Sequence, residues 1–213
     1  MIKYIIFDFD GTLVDSKNTA ITAFNHLSEK YKFKKIELKD FEHLRKLSIT
    51  ERCKALNFPI YKIPFLAAEA YQLYKKYFKD IELHKGIREL LDGLKNKGKN
   101  LAIISSNSET NIREYLQENK INSIDKVYCS SNIFGKDKMI NNFLKKYKLR
   151  ESEVIYIGDE ERDIVASKKS GVKFIWVSWG FDVFEVVKQE CPDYIVNKPE
   201  DIFGILDEIK VSL

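Results

Sequence analysis

Short, continuous runs of apolar and β-branched residues recur along the chain and mark its predicted strands. They cover residues 4–9, 101–105, 126–129, 154–157 and 172–177, and each ends in small or polar residues. Because these runs do not alternate between apolar and polar residues, both faces of each strand are expected to be buried, as in a parallel sheet.

Between the later runs, apolar residues recur every three or four positions, which predicts amphipathic helices. Examples are Ile87, Leu90, Leu91 and Leu94, followed by Ile140, Phe143, Leu144 and Tyr147. Strand and helix therefore alternate from about residue 86 onward. This order is typical of the α/β class and predicts a doubly wound, mostly parallel sheet with helices on both faces.

The interval between the first and second predicted strands does not follow this order. Residues 16–82 carry helical patterns, such as Ala20, Ile21, Phe24 and Leu27, and no convincing strand pattern. A connection of this length must have structure of its own. We therefore expect two domains, an α/β core of residues 1–15 and 83–213 and an inserted α-helical cap of residues 16–82.

Charge and composition narrow the function classes. The 213 residues include 36 Lys and Arg against 32 Asp and Glu, and this net charge of +4 is too small and too evenly spread to predict nucleic-acid binding. No run approaches the ~20 apolar residues of a membrane span, and the apolar N-terminal run is too short for a signal peptide. The three cysteines show no CxxC spacing, so we expect reduced thiols and a cytoplasmic protein.

The residues after the first predicted strand carry the strongest chemical signal. Asp8 and Asp10 flank Phe9, so an extended chain directs both carboxylates to one side and the ring to the other. Ligands of open α/β sheets bind at the carboxyl ends of the strands. Two neighbouring carboxylates repel unless a cation or a shared proton compensates, and Mg²⁺ is a suitable oxygen-liganded cation. Gly11 then permits a sharp turn of the chain.

The segment Asp-Phe-Asp-Gly-Thr-Leu-Val-Asp-Ser, residues 8–16, closely resembles the first motif of haloacid dehalogenase-type phosphatases. Three later segments resemble the other motifs of this family, in the same order. They are the strand end at Ser105, the helix start at Lys136, and a Gly-Asp-Glu-Glu-Arg-Asp segment that contains Asp159 and Asp163. The resemblance covers almost the whole chain and implies a Rossmann-like core with an inserted cap.

The resemblance also implies a role for each motif residue. Asp8 would be the nucleophile that accepts the phosphoryl group, and Asp10 would be the general acid and base. Ser105 and Lys136 would bind the transferring phosphoryl group, with Lys138 as the alternative lysine. The cofactor would be Mg²⁺, with the following metal-binding residues: Asp8, Asp10, Asp159 and Asp163.

Residues around these motifs leave alternatives open. Ser106 and Asn107 are expected either to bind substrate or to cap the next helix, and Ser108 competes for the capping position. In the cap, the candidate anion contacts are Arg45, Lys46 and Arg52, of which Arg45 is our choice for substrate binding. A solvated basic helix face would explain the same residues.

The resemblance of the four motifs predicts Mg²⁺-dependent hydrolysis of small-molecule phosphate monoesters through an aspartyl-phosphate, as in phosphoglycolate phosphatases. The predicted cap resembles the type found in phosphoglycolate phosphatases and β-phosphoglucomutases. A sugar phosphomutase resembling β-phosphoglucomutase, an inorganic pyrophosphatase and a regulatory binding module on the same fold are the alternatives. Family members that cleave carbon–halogen bonds lack the aspartate equivalent to Asp10, which argues against dehalogenation. We expect a small phosphorylated metabolite as the partner, and a monomer or a homodimer.

Overall fold

The computed structural model describes residues 1–130 and 132–211, so residue 131 and residues 212–213 of the predicted core lie outside the described residues. The strands are β1 (Tyr4–Phe7), β2 (Val14–Asp15), β3 (Glu82–Leu83), β4 (Asn100–Ser105), β5 (Lys126–Cys129), β6 (Val154–Gly158), β7 (Lys173–Val177) and β8 (Tyr194–Val196). The helices are α1 (Lys17–Tyr31), α2 (Leu38–Leu44), α3 (Ile49–Ala55), α4 (Ile63–Lys76), α5 (Ile87–Asn96), α6 (Glu109–Glu118), α7 (Lys136–Tyr147), α8 (Glu161–Lys169), α9 (Phe184–Val187) and α10 (Asp201–Val211). Among the residues described, no helix has the length and apolar character that crossing a membrane requires.

A parallel sheet forms the centre of the fold. Over the described residues it has six strands in the order β5-β4-β1-β6-β7-β8, and each neighbouring pair is parallel. Ile5 of β1 lies opposite Leu101 of β4 and Ile155 of β6. The predicted doubly wound α/β fold is confirmed, and the five predicted strands correspond to β1, β4, β5, β6 and β7.

Helices cover both faces of this sheet. Successive residues of β1 point to opposite layers, so Ile5 packs in one apolar cluster and Ile6 in the other. Leu90 of α5 and Leu206 of α10 belong to the first cluster, whereas Phe143 of α7 belongs to the second. A strand that is buried on both faces needs apolar residues at successive positions, which explains the continuous apolar runs in the sequence.

The sequence pattern does not predict β8 or the pairing of β2 with β3. β8 is a three-residue edge strand in which Val196 is buried and Ile195 is 44% exposed, so its apolar signal is short and incomplete. β2 and β3 have two residues each and form a separate antiparallel pair. Pairing of such short segments depends on contacts between distant parts of the chain, which a local pattern does not encode.

The segment between β2 and β3 is helical, as predicted. It contains α1 to α4 together with 3₁₀ turns at Ile60–Lys62 and Phe78–Asp80. Val14 pairs with Leu83 and Asp15 with Glu82, so the chain leaves the core and returns to it at the same place. The helices begin close to the predicted cap boundary, while the division into two domains stays a prediction.

The end of α4 and the turn after it connect this helical insertion to the core. Tyr74, Phe78 and Ile81 are buried in the same apolar cluster as the first face of the sheet. Phe78 meets the ring of Tyr115 edge-on, with 5.3 Å between the ring centroids. Edge-to-face contact of this kind stabilises a buried ring beyond the burial of its area.

Replacing Phe78 with alanine is expected to lower the free energy of unfolding by about 3–5 kcal/mol, because the ring is lost and a cavity remains. Phe65 is the matched control, since it lies on the outer side of α4 and is 82% exposed. Phe65→Ala should change stability by less than about 0.5 kcal/mol. Urea unfolding followed by circular dichroism measures both variants, and equal small effects would contradict the proposed anchoring through Phe78.

Candidate active site

The ends of three adjacent strands bring the predicted motif residues together. Asp8 directly follows β1, Ser105 ends β4, and Asp159 directly follows β6. β1 lies between β4 and β6 in the sheet, and all three strands run in the same direction. Their carboxyl ends therefore meet at one edge, where β1 is flanked on both sides by strands that come much later in the chain.

Asp8 is held rigidly at this edge. Its side chain is buried, its Oδ1 accepts a hydrogen bond from the backbone N–H of Phe9 at 2.8 Å, and its Oδ2 lies 2.7 Å from Lys136 Nζ. The ring of Phe9 is fully buried on the opposite side, against Tyr115. The predicted alternation of Asp8, Phe9 and Asp10 therefore agrees with the structure.

Lys136 bridges two carboxylates in the interior. It is the first residue of α7, is 1% exposed, and places Nζ 2.7 Å from Asp8 Oδ2 and 2.5 Å from Asp163 Oδ1. Burial by itself would lower the pKa of Lys136, but the carboxylates of Asp163 and Asp8 outweigh it and raise that pKa. Lys138 is exposed, which favours Lys136 as the motif lysine.

Asp10 faces the helical insertion. Its Oδ1 accepts a hydrogen bond from the hydroxyl of Tyr74 on α4, and its Oδ2 accepts one from Asn107 Nδ2 at 2.8 Å. The carboxyl lies deep enough that burial raises its pKa, and Asp8 adds to this, although the hydrogen bonds from Tyr74 and Asn107 act in the opposite direction. The insertion thus contributes a side chain to the environment of a motif residue.

The residues at the carboxyl end of β4 have separate partners. Ser105 Oγ accepts a hydrogen bond from the backbone N–H of Asn107 at 3.1 Å, and Ser106 Oγ accepts one from Arg162 at 3.2 Å. The residue at the start of α6 in the N-cap position is Ser108. Ser106 and Asn107 are therefore not the helix cap, and their substrate-binding role stays a prediction.

Asp159 is enclosed by the loops that follow β1 and β7. Its carboxylate accepts hydrogen bonds from Thr12 Oγ1 at 2.6 Å and from the backbone N–H of Phe181 at 2.7 Å. Gly11 has a φ of +77° and lies so close to this carboxylate that a Cβ atom would clash with it. Burial, together with Glu160 and other nearby acids, raises the pKa of Asp159 well above its ordinary value.

Comparison with known proteins assigns the family. The model of haloacid dehalogenase-like hydrolases matches residues 5–177. The chain belongs to this family. This result agrees with the resemblance inferred from the motifs of residues 8–16, 105, 136 and 159–163.

Relatives of this hydrolase match nearly its full length. It is 29% identical to a phosphoglycolate phosphatase of Synechococcus elongatus, over 98% of this chain and 99% of the relative. It is 26% identical to the pyrophosphatase PpaX of Halalkalibacterium halodurans, over 96% of this chain and 97% of the relative. A solved hydrolase of the same family from Streptococcus pneumoniae matches with a TM-score of 0.77 at 25% identity, over 96% of this chain and 98% of that structure.

Buried carboxylate oxygens of this hydrolase fit a metal ion. Asp8, Glu160 and Asp163 each offer one oxygen, and these oxygens lie within 4.8 Å of one another. Asp163 Oδ2 is buried and has no hydrogen-bond partner among the described residues. A set of carboxylate oxygens suits a hard cation such as Mg²⁺, and a buried unpaired oxygen needs a partner of this kind.

The predicted metal set and the observed cluster overlap in part. Asp8 and Asp163 belong to the cluster, whereas the carboxylates of Asp10 and Asp159 are hydrogen-bonded to other groups described above. Their metal-binding roles stay predictions. Sequence analysis missed Glu160, whose only signal is its place inside the fourth motif, directly after Asp159.

The arginines of the helical insertion contact the loop after β7, near Asp159. Arg45 Nε donates to the carbonyl of Phe181 at 2.9 Å, and its Nη2 donates to the carbonyl of Gly180 at 3.0 Å. Arg52 pairs with the carboxylate of Asp182. Lys46 is exposed. The predicted role of Arg45 in substrate binding stays a prediction, and its position shows that the insertion and the core meet at this loop.

Replacing Lys136 with methionine is expected to reduce kcat by about 10²–10³, the typical loss when one preorganised electrostatic contact at a reacting centre is removed. Lys138→Met, two residues along the same helix and exposed, should leave kcat within about twofold, because surface substitutions perturb structure little. Steady-state kinetics with p-nitrophenyl phosphate compares the two, and thermal unfolding checks that both are folded. A larger loss of kcat in Lys138→Met than in Lys136→Met would show that Lys138 is the lysine of the third motif.

Tyr74→Phe is expected to move the basic limb of the kcat/KM profile to higher pH. The hydroxyl of Tyr74 stabilises the charged form of Asp10, so its removal raises the pKa of Asp10 and keeps this predicted general acid protonated to higher pH. Tyr71→Phe is the control, because the hydroxyl of Tyr71 donates to the carbonyl of Ser106. An identical pH dependence of kcat/KM in wild type and Tyr74→Phe would show that the hydroxyl of Tyr74 does not set the pKa of the group that acts as the acid.

Proposed function

We propose that this hydrolase is a Mg²⁺-dependent phosphatase that cleaves small-molecule phosphate monoesters through an aspartyl-phosphate. The observation that carries the proposal is the pair Asp8 and Asp10 at one cavity wall, with Asp8 fixed by Lys136 and Asp10 free of that ion pair. One carboxylate is thus oriented as a nucleophile and the other is available for proton transfer. The phosphatase relative described above supports the same reaction class.

The reaction has two displacements. A carboxylate oxygen of Asp8 forms a bond to phosphorus while the ester P–O bond breaks, and Asp10 gives its proton to the leaving alkoxide, which departs as the alcohol. Asp10, now a carboxylate, takes a proton from water as the water oxygen bonds to phosphorus. The P–O bond to Asp8 then breaks, which releases inorganic phosphate and returns both aspartates to their starting states.

Charge on the transferring phosphoryl group needs cations and donors nearby. Lys136 supplies a buried positive charge beside Asp8, and the Ser105 hydroxyl ends the neighbouring strand. Bound Mg²⁺ would supply further positive charge for the phosphoryl group. The geometry supports Asp8, Glu160 and Asp163 as its ligands, and the motifs predict Asp10 and Asp159 in addition to Asp8 and Asp163.

The insertion of residues 16–82 is proposed to act as a cap domain over residues 1–15 and 83–213. Tyr74 contacts Asp10, and Arg45 contacts the loop after β7, so helices of the insertion lie over the strand ends. A closed cover of this kind excludes bulk water during the first displacement and limits the substrate to small molecules.

Inorganic pyrophosphate is the second candidate substrate, because one relative is a pyrophosphatase with 26% identity over nearly the full chain. The chemistry at phosphorus would be the same, with phosphate in place of the alcohol as the leaving group. A sugar phosphomutase would use the same residues but would isomerise its substrate without net release of phosphate. The intact set Asp8, Asp10, Lys136 and Asp163 argues against a binding module without turnover.

The deciding experiment measures hydrolysis of p-nitrophenyl phosphate by wild type with Mg²⁺ and with EDTA, beside Asp8→Asn. We expect turnover that depends on Mg²⁺ and is lost in Asp8→Asn by at least about 10³, because removal of a covalent nucleophile leaves only residual catalysis. Mass spectrometry of acid-quenched enzyme should find the added phosphoryl group on the peptide that contains Asp8.

Asp15→Asn is the matched control, since Asp15 belongs to the same motif segment but is exposed. It should retain wild-type turnover. Turnover that survives in Asp8→Asn would exclude the aspartyl-phosphate route, and turnover that survives in EDTA would exclude the metal requirement. Isomerisation of a sugar phosphate without release of inorganic phosphate would show that the enzyme is a phosphomutase and not a phosphatase.

A further inference from the structure

A cavity of about 430 Å³ extends from the motif carboxylates into the helical insertion. Asp8, Asp10 and Ser105 line the end of the cavity at the sheet. From there it continues between α1, α2 and α4, which together supply most of the opposite walls. A volume of this size is in the usual range for small-molecule sites. The cavity therefore offers much more space than a phosphoryl group alone requires.

The walls supplied by the insertion are mostly apolar. They include the rings of Phe24 and Phe41, the side chain of Leu66, and three alanines, Ala20, Ala67 and Ala70. The alanines keep partial solvent exposure although they lie between packed helices, because they face the cavity. Apolar walls that enclose a site gain most from apolar ligand surface, since burial removes that surface from water.

The cations that line the cavity already have partners. Among the described lining residues these cations are arginines, and there is no lysine or histidine. Arg45 donates to the carbonyls of Gly180 and Phe181. Arg52 donates to the carbonyl of Leu44 at 2.8 Å and pairs with Asp182.

The third lining arginine is bound in the same way. Arg162 Nε donates to Glu160 Oε2 at 2.7 Å, and its Nη1 donates to Ser106 Oγ. A substrate with a second anionic group, such as the carboxylate of phosphoglycolate or the second phosphoryl group of pyrophosphate, would have to share these arginines with the groups that they already hold. Elsewhere along the apolar walls its charge would remain unpaired. Burial of an unpaired charge is strongly unfavourable.

We infer that the substrate is a phosphate monoester of an apolar alcohol, whose alkyl or aryl group fills the cavity inside the insertion while the phosphate lies at Asp8. The inference rests on the phosphatase function proposed above and specifies its substrate class. The products are inorganic phosphate and the free apolar alcohol. The helices of the insertion bind the apolar group and so select the substrate, and the motif residues act on the phosphate.

The first test is the kcat/KM of wild type for ethyl, butyl, hexyl and octyl phosphate, with phosphoglycolate and pyrophosphate as competitors that carry a second anionic group. Each added methylene should raise kcat/KM by about fourfold until the cavity is filled. Phosphoglycolate and pyrophosphate should be poorer substrates than butyl phosphate. A flat or falling series with chain length, or a tenfold preference for either competitor, would overturn the inference.

The second test narrows the cavity. Ala70→Phe places a ring in the cavity and should reduce kcat/KM for octyl phosphate at least tenfold more than for ethyl phosphate. Ala68→Phe adds the same ring two residues away, at an exposed position of α4 outside the cavity, and should leave both values unchanged. Ala67→Leu is a smaller filling variant that serves if Ala70→Phe does not fold, and the same selective loss is expected from it. An equal loss for both esters would contradict occupation of the cavity by the alkyl chain.

The two proposals fail in different ways. Turnover of p-nitrophenyl phosphate or of any alkyl phosphate that depends on Mg²⁺ and Asp8 supports the phosphatase, whatever the chain-length dependence. If such turnover occurs without a preference for long chains, the substrate class is wrong and the phosphatase stands. If no ester is hydrolysed while pyrophosphate is, both the monoesterase and the apolar substrate are wrong.

Discussion

The contact of Lys136 with Asp8 and Asp163 is the interaction on which the rest of the site depends. A buried ammonium group is tolerated only where carboxylates compensate it, and here the carboxylates come from the end of β1 and from α8. The first turn of α7, the end of the central strand and the first turn of α8 must therefore assemble together. Lys136 on α7 orients Asp8, and its ion pair with Asp163 also joins α7 to α8 on one face of the sheet.

Topology explains why these groups meet. β1 is the central strand, and its neighbours β4 and β6 come from parts of the chain about 100 and 150 residues away. Parallel strands with buried faces leave side chains accessible only at their ends, so polar residues gather at the carboxyl edge. Asp159 then makes contact with the loops after β1 and β7 through Thr12 and Phe181. The carboxylate of Asp159, which belongs to the fourth motif, therefore holds both of these loops in place.

The parts of the structure that could be predicted are those with a local signal. Continuous apolar runs predicted the buried strands, and the carboxyl end of the first of them pointed to Asp8, because strand ends in a parallel sheet have a fixed place. The resemblance to the family motifs pointed to Ser105 and Asp159. Tyr74 and Glu160 could not be found in this way. Tyr74 lies on α4, far from the motifs along the chain, and its hydroxyl reaches Asp10 only through the fold of the insertion. Adjacent acids in one motif do not indicate which of them turns toward Asp8.

The pairing of β2 with β3 makes the positions of the sheet strands independent of the size of the insertion. The chain leaves the core at Val14 and Asp15 and returns beside them at Leu83 and Glu82. The two connections of the insertion are therefore hydrogen-bonded to each other at one place on the core. A longer, shorter or differently folded insertion can be exchanged at this junction without stretching the central strands. The helices that line the cavity can therefore change over evolutionary time while the position of Asp8 stays constant.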